Sequence, residues 1–484
     1  MSGETGILAF GAYVPRTRLQ RSAVYAAHAW FAPGLKGQSK GERAIGDWDE
    51  DTITMAVEAA RDALTGVERA TVGSLSLAST TLPYIDRLNS GIVKEALNLP
   101  DAVAALDVTG SQRAGTSSLL QALKGAKGGA APHLVLASEM RKASPASEAE
   151  LTNGDAAAGL LVGSGEVVAK FLGAHSVTAD FVDHYRTEDM DFDYGWESRW
   201  IRDEGYTKLA GGALKAGLAA LGVAPEAVDR LVIPLVGRGV ADGLAKQAGV
   251  KPEALADTLL ATVGDSGVAH PLLLLVTALE QAKPGEKIVV LGFGQGVDVL
   301  LFEATPALAK LSARRGVKGS VARRHADDNY LRWLFHRGLL ALEKGMRAEF
   351  DQKQPATTLW RHRKTVFGLV GGRCTKTGVV QFPKSDITVG SNDRSSGTQE
   401  DYPLAELKSK IITFTADNLT YSPNPPAYYG MVDFEGGGRL TVEFADVAGV
   451  EVEVGREMRM VFRIKALDEQ RHFTKYFWKA APAD

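Results

Sequence analysis

At 484 residues, with 45% hydrophobic and 23% charged side chains, the chain is longer than one core usually accommodates and apolar enough to build two or more domains. Its 55 Lys and Arg against 58 Asp and Glu leave a formal charge of -3, which excludes a strongly basic nucleic-acid binder and an acidic disordered chain. One cysteine, Cys374, excludes an intrachain disulfide and any multi-cysteine metal cluster within one chain.

The first residues, Met1 to Pro15, carry no basic stretch ahead of an apolar run, and the densest apolar segment, Pro271 to Leu279, is too short to span a bilayer. A cytoplasmic protein with no membrane partner is the expectation. Short β-branched or apolar runs predict buried strands at Gly6–Ala12, Ser74–Ser79, Ala102–Val108, His133–Ser138, Ala157–Gly163, Arg230–Val236, Lys287–Gly292 and Asp298–Ala304. Between them, Asp51–Leu64 predicts a helix with Ile53, Met55, Ala56, Ala59, Ala60 and Ala63 turned to one side. The alternation is that of a layered α/β domain with a buried sheet.

A repeat is visible in these runs. His133-Leu-Val-Leu-Ala-Ser-Glu139 followed by Ala156-Ala-Ala-Gly-Leu-Leu-Val-Gly163 is echoed by Lys287-Ile-Val-Val-Leu-Gly-Phe293 followed by Gly296-Val-Asp-Val-Leu-Leu-Phe302. Each pair predicts a hairpin, so the domain reads as internally duplicated, with halves of about 1–170 and 171–308. Residues 309–364 are strongly basic with interleaved Trp333, Phe335 and Trp360, and predict a helical connector whose positive side meets acidic surface or small-ligand phosphates. From 365 to 484, Thr365–Val370, Lys410–Ala416, Ala427–Phe434, Arg439–Phe444 and Glu457–Lys465 predict strands of a small β-barrel.

Several segments carry a family resemblance. Gly6-Ile-Leu-Ala-Phe-Gly-Ala-Tyr-Val-Pro-Arg-Thr-Arg-Leu19, Asp47-Trp-Asp-Glu-Asp-Thr-Ile-Thr-Met-Ala-Val-Glu-Ala-Ala-Arg-Asp-Ala-Leu64, Pro83-Tyr84, Arg113-Ala-Gly-Thr116, Asp180-Phe-Val-Asp-His-Tyr-Arg186 and Ala282-Lys-Pro-Gly-Glu-Lys-Ile-Val-Val290 resemble bacterial and archaeal hydroxymethylglutaryl-CoA synthases of the thiolase superfamily. The resemblance covers roughly residues 5 to 305. It implies a five-layered, internally duplicated thiolase fold acting on coenzyme A thioesters, as a homodimer or a heteromer with another thiolase-like subunit. The C-terminal segments Gly371-Gly-Arg-Cys-Thr-Lys-Thr-Gly378, Phe382-Pro383, Ile412-Thr-Phe-Thr415 and Pro423–Pro426 resemble the OB-fold domain with zinc ribbon that accompanies such proteins and helps hold acyl-CoA. Only Cys374 remains of the ribbon's four thiolates, so no zinc and no covalently bound cofactor is expected.

The departures from the family pattern concern its chemistry. Where the family has a nucleophilic Cys in Ala-Cys-Lys-Ala-Gly-Thr, this chain reads Ser111-Gln-Arg-Ala-Gly-Thr116, so Gln112 takes the nucleophile's place. Thr80 aligns with the family's acid–base Glu, and Pro234 with its His. A carboxamide cannot carry an acyl group, but it can donate to a thioester or enolate oxygen. The sequence therefore points to carbon–carbon bond chemistry of aldol or retro-aldol type without an acyl-cysteine. A non-catalytic acyl-CoA-binding scaffold subunit, an acyl-CoA decarboxylase and a divergent acyltransferase are the other readings. In Gly264-Asp-Ser-Gly-Val-Ala-His-Pro271, Asp265 is expected to orient His270 as general base. Tyr84 and Asp107 are expected near the same pocket. Gly292 and Gly294, in Gly292-Phe-Gly-Gln-Gly296, are candidate oxyanion-loop positions, and Arg113 and Arg238 candidate contacts for coenzyme A phosphates.

Overall fold

The computed structural model describes residues 3–126, 128–350, 356–390 and 395–483. Residues 351–355 of the basic stretch lie outside the described residues. The chain divides into two compact units: Met1–Gly46, Asp51–Gly91 and Pro100–Tyr330 form the first, and Asp47–Glu50, Ile92–Leu99 and Leu331–Asp484 the second. The stretch 309–364 is shared between the units.

In the first unit, nine strands form one sheet: β1 (Glu4–Tyr13), β2 (Ser74–Ala78), β3 (Ala104–Val108), β4 (His133–Glu139), β5 (Ala156–Gly165), β6 (Ala169–Thr178), β7 (Arg230–Val232), β8 (Lys287–Phe293) and β9 (Gly296–Ala304). Their order is β7-β8-β9-β6-β1-β5-β4-β2-β3. The two halves repeat one pattern outward from the centre. β1 is antiparallel to β5, β5 antiparallel to β4, and β4 parallel to β2. Likewise β6 is antiparallel to β9, β9 antiparallel to β8, and β8 parallel to β7. β2 is followed by parallel β3, whereas the second half keeps only a parallel bridge, Leu231 to Leu255, in that place.

Helices cover the sheet because their apolar stripes need a partner. α1 (Thr52–Ala63) begins at Asp51, whose carboxylate accepts from Thr54 N at 2.8 Å while Thr54 Oγ1 accepts from Asp51 N at 2.8 Å, a reciprocal cap. α2 (Ala114–Gly125) follows β3, and α3 (His270–Gln281) precedes β8. Its run His-Pro-Leu-Leu-Leu-Leu-Val-Thr-Ala-Leu is buried throughout, as expected of a helix packed between layers.

The sequence expectations differ from the structure at several strands. β7 stops at Val232 rather than continuing to Val236, because Pro234 has no N–H for a ladder. β6 went unpredicted: Ala-Lys-Phe-Leu-Gly-Ala-His-Ser-Val-Thr is only partly covered along its length and carries no continuous apolar run. At Thr365–Val370 the structure has a helical turn, Arg363–Val366, and a strand beginning only at Val370, after Leu369 at φ 47°.

The second unit holds a three-stranded sheet of β10 (Val370–Cys374), β11 (Val380–Gln381) and β12 (Gln399–Pro403), with β10 central. Its larger sheet comprises β13 (Ser409–Asp417), β14 (Ala427–Phe434), β15 (Arg439–Glu443), β16 (Glu457–Asp468) and β17 (Phe473–Pro482), ordered β15-β14-β13-β16-β17. A parallel bridge from Phe444 to Ala480 brings the two edges together. Buried Arg463 and Lys479 meet carboxylates of the 47–50 segment: Arg463 lies 3.2 Å from Glu50, and Lys479 lies 2.9 Å from Asp49.

Candidate functional site

β2, β3 and β4 are parallel neighbours, so their carboxyl ends open onto one place, where the following loops converge. Thr80 comes just after β2, Gln112 lies between β3 and α2, and Glu139 is the last residue of β4. The Gln112 amide donates to Thr80 Oγ1 at 3.3 Å, and that hydroxyl donates to Glu139 Oε2 at 3.0 Å. Glu139 is fully buried and also accepts from Thr80 N at 3.1 Å, from Ser79 Oγ at 3.3 Å and from Thr81 Oγ1. Burial pushes its carboxyl above the usual glutamate range, against the pull of those donors. A carboxylate thus stands behind Thr80, where the family pattern has its own glutamate. Among the described residues Gln112 keeps one N–H without a partner, since its NH2 has two donors and Thr80 takes one. Its Oε1 is buried with no partner among the described residues.

Gly267 sits at the centre of this group. A Cβ there would lie 2.6 Å from Gln112 Oε1, 3.0 Å from Glu139 Cγ and 3.1 Å from Arg141 Nε, and its φ is +51°. Three side chains from two segments of the chain therefore meet over a backbone with room for none. Gly294 closes the other side. Its Cβ would lie 2.8 Å from Arg113 N and 3.1 Å from Gln112 N, and its carbonyl accepts from Ser111 Oγ at 2.8 Å. Gly292 is packed equally tightly against Thr116. The expected glycine turn does adjoin position 112, and it ties up the Ser111 hydroxyl.

Other predicted residues are placed differently. Asp265 does not orient His270; it pairs with Arg141, whose Nη2 is 2.6 Å from Asp265 Oδ2. Burial alone would raise the Asp265 carboxyl, but the Arg141 charge and hydrogen bond bring it below the usual range. His270, first in α3, is 1% exposed, and its Nδ1 faces Ser266 N at 3.4 Å and Ser266 Oγ at 3.2 Å. Burial pushes the imidazole down, against the charge of Asp265, and the ring is built into the core. Asp107 accepts from Asn89 N and Ser90 N, each at 2.8 Å, and so caps the helix Asn89–Ala96 rather than lining the site. Tyr84 packs its ring under Arg87 at 4.6 Å. Arg113 is bound to buried Asp298 at 3.0 Å, which also accepts from Thr116, Ser117 and Ser176. Arg238 is exposed in the loop after β7, and Pro234 offers no polar side chain in the place of the family's His.

Sequence reasoning missed Glu139 and Arg141. The only signal was two charges directly behind an apolar strand, Ser138-Glu-Met-Arg141, which reads equally as a strand ending. No group of three or more His, Cys, Asp or Glu side chains among the described residues is arranged to hold a metal ion. Cys374, 1% exposed, lies 3.2 Å from Thr398 Oγ1. No helix among the described residues is long and apolar enough to cross a membrane.

The fold is that of thiolase-like α/β proteins. A MvaS protein in complex with 3-hydroxy-3-methylglutaryl coenzyme A superposes with a TM-score of 0.59 at 19% identity, covering 69% of this chain and 92% of the other. A hydroxymethylglutaryl-CoA synthase complexed with coenzyme A gives 0.56 at 17% identity, covering 72% and 95%. Residues 218–300 match the C-terminal domain of 3-oxoacyl-[acyl-carrier-protein] synthase III. The hydroxymethylglutaryl-CoA synthase of Caldivirga maquilingensis is 30% identical over 302 residues, 60% of this chain and 84% of that protein. That of Methanosarcina mazei is 28% identical over 348 residues, 70% of this chain and 99% of the relative. The chain belongs to the hydroxymethylglutaryl-CoA synthase family, acyl-CoA enzymes of the thiolase superfamily.

Proposed function

We propose that the protein makes or breaks a carbon–carbon bond in a 3-hydroxyacyl-CoA thioester by an aldol or retro-aldol step that uses no acyl-cysteine. The observation that carries this reading is the state of Gln112. A thiol is replaced by a carboxamide held through Thr80 by buried Glu139, with one N–H and one C=O left over. The remaining N–H is a donor for the thioester oxygen that a 3-hydroxyacyl thioester carries two carbons from its hydroxyl. An N–H fixed before reaction stabilises the enolate oxygen that develops when the C2–C3 bond breaks. Glu139 is a positioning residue here, since Thr80 stands between it and the carboxamide. The names of the relatives support coenzyme A as the carrier.

The first unit is of the five-layered thiolase type, as its repeated strand order supports. The larger sheet of the second unit is of OB type, supported by its strand order and the parallel Phe444–Ala480 bridge, and the sheet around Cys374 is a zinc ribbon that has lost its thiolates. The test is incubation of the purified protein with a panel of acyl-, 3-hydroxyacyl- and 3-ketoacyl-CoA thioesters, followed by mass spectrometry. Conversion of a 3-hydroxyacyl-CoA to a shorter acyl-CoA is expected; binding of the panel without any product would replace this reading with the scaffold-subunit one.

A further inference from the structure

We infer that His184, oriented by Asp183, is the acid–base residue of this site, taking the 3-hydroxyl proton of the thioester and returning it to C2. The inference rests on the function proposed above. Retro-aldol cleavage needs a base that touches the substrate hydroxyl, and His270 is too buried to do so. His184 belongs to a short hairpin in which His184–Tyr185 pairs antiparallel with Tyr194–Gly195. The hairpin is pinned to the site at the residue that holds Gln112: Arg186 Nη2 donates to the Thr80 carbonyl at 2.5 Å, while its Nη1 is 3.1 Å from Asp193. Trp196 N donates to the Asp183 carbonyl at 2.8 Å, fixing the strand that carries the histidine.

Within this frame Asp183 Oδ2 lies 3.1 Å from His184 Nδ1. A carboxylate on Nδ1 sets the tautomer and leaves Nε2 to act on a ligand. The His184 side chain is 22% exposed, so a ligand can reach it. The charged and titratable groups around this pair come from several elements: Asp183 beside it, Asp193 across the hairpin, Arg141 after β4, and Tyr206 from the following helix toward Asp183. Burial alone would lower the imidazole, but the hydrogen bond and charge of Asp183 lift it above its usual value. Arg141 borders the cradle over Gly267 and its charge acts on His184, Glu139 and Asp265 alike.

The step balances without a further reactant. Nε2 takes the proton from the 3-hydroxyl, and the freed oxygen pair forms the carbonyl of the departing aldehyde or ketone. The C2–C3 bond breaks, and its electron pair passes to C2 and the thioester oxygen against the Gln112 N–H. The imidazolium then protonates C2, releasing the shorter acyl-CoA and restoring the base.

The experiment measures kcat, KM and the pH profile of the full chain on the 3-hydroxyacyl-CoA that the wild type cleaves, for H184Q and D183N. H184Q is expected to lower kcat by about 100-fold or more with little change in KM and to remove the rising limb of the profile. D183N is expected to keep part of the activity and move that limb to lower pH, a shift that a merely structural role would not produce. If H184Q does not fold, the limb shift in D183N decides alone. Unchanged kcat and limb in H184Q, or an unmoved limb in D183N, overturn the assignment while the wild type's turnover leaves the proposed function standing. A wild type that cleaves no thioester overturns both.

Discussion

Replacing Gly267 by alanine tests whether the Gln112–Glu139–Arg141 cradle is the working part of the molecule. The added Cβ meets Gln112 Oε1 at 2.6 Å, Glu139 Cγ at 3.0 Å and Arg141 Nε at 3.1 Å. Gln112 Oε1 is the end of a flexible side chain, and reaching ordinary contact near 3.5 Å means retreating by about 0.9 Å. That retreat exceeds the slack in a hydrogen bond that is already 3.3 Å long, so the carboxamide lets go of Thr80. Alanine at φ +51° adds roughly 1–2 kcal/mol of backbone cost. Displacement of a substrate-positioning group by about 1 Å costs on the order of 100-fold in rate. Gly285 is the control, with φ +89° and nothing within 4 Å of its Cβ. G285A carries a positive-φ backbone cost of its own and none of the displacement. Urea melts should show both variants weakened by about 1–2 kcal/mol, while turnover of a 3-hydroxyacyl-CoA falls about 100-fold in G267A alone. Equal activity in the two variants would refute the reasoning.

Glu139→Gln keeps the shape of the side chain and removes its buried titratable carboxyl, so its stability at neutral pH should stay within about 1 kcal/mol of wild type while turnover drops at least tenfold. Because burial raises the Glu139 carboxyl, the wild type loses stability as pH rises above the ordinary value of 4.5, until the folded-state group ionises; melts of E139Q between pH 4 and 8 should lack that component. Asp265→Asn strands the Arg141 guanidinium and should cost about 3 kcal/mol at pH 7 by denaturant titration. Its effect should shrink as pH falls below 3.8, since the lowered Asp265 carboxyl stabilises the fold above the unfolded value and that gain is lost on the way down to the folded one. Incubation with EDTA should leave the melting temperature unchanged, because one Cys374 cannot form a thiolate zinc site.

Much of the sheet was legible because its strands are buried on both faces and read as apolar runs. The paired segments around His133–Gly163 and Lys287–Phe302 became the repeated β4–β5 and β8–β9 hairpins. β6 was not legible, since its Lys, His, Ser and Thr residues break up the run at partly covered positions. In the site, Thr80 and Gln112 stood out because each occupies a place where a family pattern has a reactive group. Glu139 and Arg141 did not, because their role comes from parallel strands ending side by side, which no local spacing records. The expected Asp265–His270 pairing failed for a local reason. Gly267 at φ +51° turns the chain between them, and α3 begins at His270, so the imidazole enters the core while the carboxylate meets Arg141.

The central claim is carbon–carbon cleavage through a free enolate rather than an acyl-enzyme. It is tested most directly by turning over a 3-hydroxyacyl-CoA in deuterium oxide and recording both the product and the intact protein by mass spectrometry. The account predicts a shortened acyl-CoA carrying deuterium at C2 and a protein that carries no acyl group. An acyl adduct on the chain, or a shortened product without deuterium at C2, would contradict it.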